Sequence, residues 1–215
     1  MDGLLIDSER YMWRESVTIA AKEQGKYMSE ELHRSFMGAS EEKVSTILRN
    51  EFGQDFDCKL LFERSRQLNK DIMKQGIPLM KGTRQLLDYL HNKGIKTCIG
   101  TSTPRIGTMS LLKADNLLDD FDNIVCGDEI KKGKPAPDIY IKCFEKFNVS
   151  KQEALIFEDG DAGARAALAT GIRLVLVPDL AYLSEEVKEK AFKVIEDLSK
   201  IIEVIEQENE GTTSI

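Results

Sequence analysis

The chain has 215 residues, of which 41% are hydrophobic and 31% charged, enough for one well-buried domain plus a modest insert and far from the composition of disordered chains. A net charge of -7 argues against a duplex-binding surface, which needs excess Lys and Arg to neutralise phosphates; no nucleic-acid partner is expected, while a small anion is still permitted where positive charge is concentrated. No apolar run approaches the roughly 18 residues of a membrane span, and the first residues lack the basic-then-apolar layout of a signal peptide, so the cytoplasm is the expected compartment and no membrane partner is expected.

From about Glu9 to Gln75 the apolar spacing is helical throughout. Trp13, Val17, Ala20 and Ala21 share one face of a helix over Glu9 to Gln24, Ser40-Glu41-Glu42-Lys43 reads as a capped start leading into Val44, Ile47 and Leu48, and Asp57 to Met73 carries Leu60, Leu61, Leu68 and Ile72. Aromatic and Met residues here, among them Trp13, Phe36, Met37 and Phe62, read as helix packing, although one or two near Gly38 could line a ligand pocket. After Gly76-Ile77-Pro78 the pattern changes to alternating strands and helices. Apolar runs at Ile95 to Gly100, Asn123 to Cys126, Ala154 to Phe157 and Ile172 to Val177 are separated by helices near Thr83 to His91, Ile106 to Lys113, Asp138 to Phe147 and Asp161 to Ala169. Parallel neighbours need crossover connections, so this alternation predicts one parallel sheet with helices on both faces. Phe192 to Ile195 would add an edge strand, a helix would follow from Ser199 to about Gln207, and Glu208 to Ile215 would fray. Asp2-Gly3 would stand just after a central strand of such a sheet, and that strand is expected upstream of Met1. The four cysteines, Cys58, Cys98, Cys126 and Cys143, lie far apart without CxxC or Cys/His spacing, so buried free thiols are expected rather than a zinc site or a disulfide framework.

Four segments fall at the C-terminal ends of the expected strands, where open parallel sheets bind ligands. They are Met1-Asp2-Gly3-Leu4-Leu5-Ile6-Asp7-Ser8-Glu9, Gly100-Thr101-Ser102-Thr103-Pro104, Gly133-Lys134-Pro135-Ala136-Pro137-Asp138 and Glu158-Asp159-Gly160-Asp161-Ala162-Gly163. Taken singly each has a plain structural reading. Asp-Gly is a common turn, and a Thr or Ser ahead of Pro is a normal helix entry. Lys134 could be as solvated as Lys131 and Lys132, although its place between Gly133 and Pro135 holds it at a strand end. Glu158-Asp159 is the exception, because two adjacent acids at the end of a buried strand are unfavourable unless a cation or hydrogen bonds compensate. Mg²⁺, oxygen-seeking and inclined to bridge a carboxylate to a phosphate, is the obvious cation.

In order and spacing these four loops resemble the haloacid-dehalogenase superfamily, and the first and last are similar to its sugar- and nucleotide-phosphate branch. The resemblance spans essentially the whole chain and implies an α/β fold: a doubly wound, Rossmann-like parallel-sheet core over residues 1–9 and 76–215, with a helical cap over 10–75 inserted after the first motif. It also implies a Mg²⁺-dependent phosphatase acting on a small phosphorylated metabolite, expected as a monomer. The first motif of the family is Asp-x-Asp-Gly, so the nucleophilic aspartate that becomes phosphorylated would stand immediately before Met1. Asp2 would be the general acid that protonates the leaving alcohol and the base that then activates water. Thr101, the Ser102 backbone N–H and Gly3 would hold the transferring phosphoryl group, with Lys134 pairing both nucleophile and phosphoryl oxygens. Asp159, Glu158 and the Asp2 carbonyl oxygen would ligate Mg²⁺. The chain departs from the family at Gly160, where Ser is usual, and at Ala162, where Asn is frequent, which removes hydrogen-bonding groups from around the metal ligands. Gly38-Ala39-Ser40 resembles a substrate-facing cap loop. Sugar phosphomutases often carry a basic residue just after it and a His near position 12; Glu41-Glu42 and Met12 stand there instead, which favours hydrolysis over phosphate shuttling. His33 and His91 lie outside all four loops and are expected to be packing or surface residues. Carbon-halogen hydrolysis needs neither Asp2 nor the acid pair, and a chain without its nucleophile could bind phosphate or Mg²⁺ and catalyse nothing.

Overall fold

The computed structural model describes residues 1–35 and 41–212. Phe36, Met37, Gly38, Ala39 and Ser40, and with them the expected substrate-facing loop and the Ser40 cap, lie outside the described residues. The chain divides into two compact units, Met1–Asp7 with Pro78–Ile215, and Ser8–Ile77.

The second unit is helical in its described residues. A π-helical stretch, Glu9–Arg14, runs into α1 (Glu15–Glu23), followed by α2 (Glu30–Ser35), α3 (Glu41–Phe52) and α4 (Cys58–Gln75). The periodicity of residues 9–24 predicts one α-helix, and the structure opens it with the wider π turn. The apolar stripes meet as expected. Val17, Ala20 and Ala21 of α1, Val44 and Leu48 of α3, and Cys58, Leu61 and Phe62 of α4 share a core with Met28, Leu32 and Phe56. Ser16 and Ser65, both buried, bond to each other across α1 and α4 at 2.6 Å, which satisfies two hydroxyls the core would otherwise strand. Asp57 starts α4 by accepting the Leu60 N–H at 2.9 Å.

The first unit holds β1 (Cys98–Gly100), β2 (Asn123–Val125), β3 (Leu155–Glu158), β4 (Arg173–Leu176) and β5 (Lys193–Val194). Between and after them come α5 (Thr83–Asn92), α6 (Arg105–Ala114), α7 (Asp138–Phe144), α8 (Asp161–Thr170), α9 (Glu185–Lys190) and α10 (Ile201–Thr212). The named strands pair in parallel, which is the α/β class the alternation predicts. The single sheet is not found. The strands form two sheets, β1-β2 and β3-β4-β5. Between the strand ends lies the N-terminal segment, whose backbone closes on itself: the Met1 carbonyl accepts from Leu4, Leu5 and Ile6, and Gly3 N–H donates to Ile6. Its isolated bridges are Asp2 with Ile6 and Ile6 with Leu79, so it makes no ladder that would join the sheets.

Other boundaries shift for local reasons. The apolar run from Ile95 becomes strand only at Cys98, because Lys96 Nζ and the Thr97 N–H are held by the Asp122 carboxylate at 2.7 and 2.9 Å. The helix from Asp138 stops at Phe144 rather than Phe147, and α10 continues to Thr212, where fraying was expected from Glu208. α7 and α8 pack on each other and on strands of both sheets, burying Val125, Ile139, Cys143, Leu174 and Leu176 around the small face of α8, Ala164, Ala166 and Ala167. Small residues on α8 let that helix approach closely. Cys58, Cys126 and Cys143 are buried and Cys98 half-buried, all as free thiols. Among the described residues no helix is long and apolar enough to cross a membrane.

Candidate active site at the strand ends

All of the site residues expected from the sequence belong to the first unit. The N-terminal turn is anchored by buried Met1, Leu4, Leu5 and Ile6. The Leu5 carbonyl accepts the Thr83 hydroxyl and the Met80 N–H, both at 2.9 Å, and Asp7 N–H donates to the Pro78 carbonyl at 2.9 Å. That anchoring presents Asp2 and Gly3 to two different strand ends. Gly3 has φ +70°, and a Cβ built on it would lie 2.3 Å from Asp159 Oδ2. Only glycine permits both the backbone conformation and the approach of that carboxylate.

Asp2 meets the loop after β1. Its Oδ2 accepts from the Thr101 hydroxyl at 3.2 Å and from the Thr103 hydroxyl at 2.8 Å. Thr101 is buried, its N–H continues the β1-β2 pairing by donating to the Val125 carbonyl, and its Oγ1 accepts the Thr103 N–H. Ser102 is exposed, and its carbonyl passes so close to Gly127 that a Cβ there would sit 2.2 Å from it.

Lys134 reaches the ends of both β1 and β3. Its ammonium donates to the Gly100 carbonyl at 3.4 Å and to Glu158 Oε1 at 2.5 Å. The same Oε1 accepts the Tyr140 hydroxyl, and the Lys134 ammonium stands 5.1 Å from the Tyr140 ring centroid. Burial, and then the facing Glu158 carboxylate, push the Tyr140 phenol well above its ordinary range, so it stays a donor. Lys131 and Lys132 are exposed, in contrast to Lys134.

Glu158 is 5% exposed. It fits because residue 163 is glycine: a Cβ there would lie 2.1 to 2.2 Å from the Glu158 carboxylate atoms. Beside it, burial pushes Asp159 up to about 6, with Glu158 adding to the shift and Lys134 opposing it. Gly160 precedes α8 without a side-chain cap, and Asp161 takes over much of the ordering there, accepting from Ser184 N–H and hydroxyl at 3.0 and 2.6 Å and from Arg165 at 2.7 Å.

Asp2 thus joins Thr101, Gly3 joins Asp159, and Lys134 joins Gly100 and Glu158, so Asp2, Gly3, Thr101, Lys134, Glu158 and Asp159 form one contiguous set, with Ser102 exposed beside it. The motif strings gave no role to Thr103, Tyr140 or Gly163. Thr103 and Gly163 nevertheless sit inside the quoted second and fourth loops, so only Tyr140, 18 residues from Glu158, has no local mark. His33 is buried in the other unit against the Thr18 hydroxyl at 2.9 Å and its pKa is lowered, first by burial and then by Arg14; His91 is exposed.

Among the described residues no three His, Cys, Asp or Glu side chains converge into a ready-made metal cluster. The donors present nevertheless fit Mg²⁺. Asp159 is a carboxylate raised by burial and by a like charge, conditions a cation would relieve, and it presses on Gly3 next to the Asp2 main chain. All the donors are hard oxygens, and Mg²⁺ is commonly held by one or two carboxylates with waters and substrate phosphate completing the shell.

Residues 1–177 match the family model described as haloacid dehalogenase-like hydrolase. The chain is 32% identical over 175 residues to a phosphorylated carbohydrates phosphatase of Thermotoga maritima, covering 81% of each chain. It is 29% identical over 205 residues to the probable pseudouridine-5'-phosphatase of Drosophila melanogaster, covering 93% of this chain and 87% of the relative. Among solved structures, a candidate beta-phosphoglucomutase from Thermotoga maritima superposes with a TM-score of 0.82 at 29% identity, covering 96% of both chains.

Proposed function

Because the chain belongs to the haloacid dehalogenase-like hydrolases, we propose that it is a Mg²⁺-dependent phosphatase of small sugar-like or nucleotide-like phosphate monoesters. The observation that supports this most is the contiguity of Asp2, Thr101, Lys134, Glu158 and Asp159, drawn from four separate segments of the chain. The relatives named as phosphatases support the reaction class.

In this reading an aspartate immediately before Met1 attacks phosphorus, and the ester's P–O bond breaks as the Asp–O–P bond forms. Asp2 gives its proton to the departing alcohol oxygen and is left ionised. A water then attacks phosphorus, its proton passes to Asp2, and the Asp–O–P bond breaks to release phosphate and restore both carboxyl groups. Lys134 neutralises phosphoryl oxygens, and the Thr101 hydroxyl and Ser102 N–H hold them, an arrangement that acts mainly by positioning and charge. Asp159, the Asp2 carbonyl and Glu158 would hold Mg²⁺, with Glu158 also tied to Lys134 and Tyr140. The bound metal would offset charge building on the phosphoryl group. Ser8–Ile77 corresponds to the helical cap insert that the family carries after its first motif. The protein works as a cytoplasmic monomer on a small phosphorylated metabolite.

A panel of sugar phosphates, nucleoside monophosphates and haloacids, assayed on the chain with its upstream aspartate, tests the proposal. Inorganic phosphate release from at least one ester class is expected, with no halide release. Conversion of a sugar 1-phosphate to its 6-phosphate without net phosphate release would replace hydrolysis by a mutase reaction, and halide release would overturn the class.

A further inference from the structure

Thr103 makes the shorter of the two hydroxyl bonds to Asp2, 2.8 Å against 3.2 Å from Thr101, and both bonds fall on the same oxygen, Oδ2. Thr101 Oγ1 is already engaged in accepting the Thr103 N–H at 3.2 Å. The backbone around Thr103 is fixed in turn. Its carbonyl accepts the buried Thr108 hydroxyl at 3.2 Å and the Gly127 N–H at 3.3 Å. A hydroxyl on so constrained a loop has little conformational freedom left to lose when it orients an acceptor.

We propose that Thr103 is a positioning residue for proton transfer, holding Asp2 by Oδ2 so that Oδ1 is the oxygen that delivers the proton to the leaving alcohol and later receives one from water. The inference rests on Asp2 being the general acid and base. A proton on Oδ2 would compete with two hydroxyl donors for the same lone pairs. With the proton on Oδ1, both bonds persist, and as the Oδ1–H bond breaks and the alcohol O–H forms, they strengthen toward the ionised carboxylate. Hydrogen bonds to a charged acceptor are roughly twice as strong as neutral ones, so Thr103 favours the state in which the proton has left.

The test compares kcat/KM for an alkyl phosphate, whose alcohol needs a proton to leave, with p-nitrophenyl phosphate, whose phenolate leaves more readily unprotonated. The chain with its upstream aspartate is used throughout. Thr103→Val should lower kcat/KM on the alkyl ester by roughly 10- to 100-fold, the range for losing a bond to a charged group, and by a much smaller factor on the aryl ester. Thr103→Ser should restore it. Circular dichroism checks the fold of each variant, and Thr103→Ala carries the same expectation if the valine variant does not fold. Equal losses on both esters, or no rescue by serine, would overturn the positioning role. Asp2→Asn separates the two levels: if it shows the leaving-group dependence and Thr103→Val does not, only the inference about Thr103 fails, whereas if Asp2→Asn itself affects both esters equally, Asp2 is not the general acid.

Discussion

Gly163 and Asp2 show how single positions set this site. An alanine at position 163 would ordinarily gain helix propensity, by up to about 1 kcal/mol. Here its Cβ would collide with a Glu158 carboxylate pinned by Lys134 and Tyr140, so the carboxylate cannot simply swing away. Overpacking of this kind costs about 1 to 3 kcal/mol. Gly163→Ala should therefore lower the unfolding free energy in urea; a gain in stability would show that Glu158 is not held. Asp2→Asn keeps the main-chain carbonyl but cannot exchange a proton, so turnover should fall by roughly 10² to 10⁴ while Mg²⁺ binding, read by calorimetry, persists. Loss of metal binding in that variant would contradict the carbonyl assignment. Asp2, Thr101, Lys134, Glu158 and Asp159 were legible as candidates because each belongs to a short string, after an expected strand, that resembles a family motif. Tyr140 was not, because its contact with Glu158 reaches 18 positions along the chain from outside all four strings; Thr103 and Gly163 stand inside the second and fourth strings, but their contacts with Asp2 and with the Glu158 carboxylate are set by the folded chain.

At the level of elements, periodicity located the strand runs and most helices but not α9 (Glu185–Lys190), while several ends were decided by side chains that reach across the fold. Asp122 delays β1, and Glu129 ties the start of α6 to the end of β2. Glu129 accepts Arg105 Nε at 2.7 Å and the Cys126 N–H at 2.9 Å, while Arg105 Nη2 donates to the Ile124 carbonyl at 2.8 Å. Arg105 first, and then the Cys126 N–H, hold the Glu129 carboxyl at about 2, below the ordinary 4.5. A folded-state pKa depressed in this way contributes stability that is complete above the unfolded value and disappears as pH falls through the folded one. Wild-type protein should be more stable than Glu129→Gln by roughly 1 to 2 kcal/mol at pH 7, the scale of a partly exposed charged hydrogen bond. The difference should shrink between about pH 4.5 and 2. A gap in unfolding free energy that stays constant over that window would show that the Glu129 charge is not what joins α6 to β2.

For the whole molecule, the change from helical periodicity to strand and helix alternation near Pro78 was visible in the residues, and the chain divides at Ser8 and Ile77. The split of the strands into two sheets was not visible, because alternation predicts parallel pairing without fixing which strands are hydrogen-bonded neighbours. The N-terminal turn meets the end of β1 through Asp2 and the end of β3 through Gly3, which places the candidate chemistry where one segment touches a strand end of each sheet. The proposed function assembles a covalent, Mg²⁺-assisted phosphoryl transfer at that point. The most direct measurement is phosphate release by the chain extended to include the upstream aspartate, with Mg²⁺ and with a chelator, beside its Asp159→Ala variant and the chain beginning at Met1. Hydrolysis by the extended protein with Mg²⁺ alone, and little turnover in the other three cases, is the predicted result; activity indifferent to chelation, or robust hydrolysis by a verified chain starting at Met1, would contradict it.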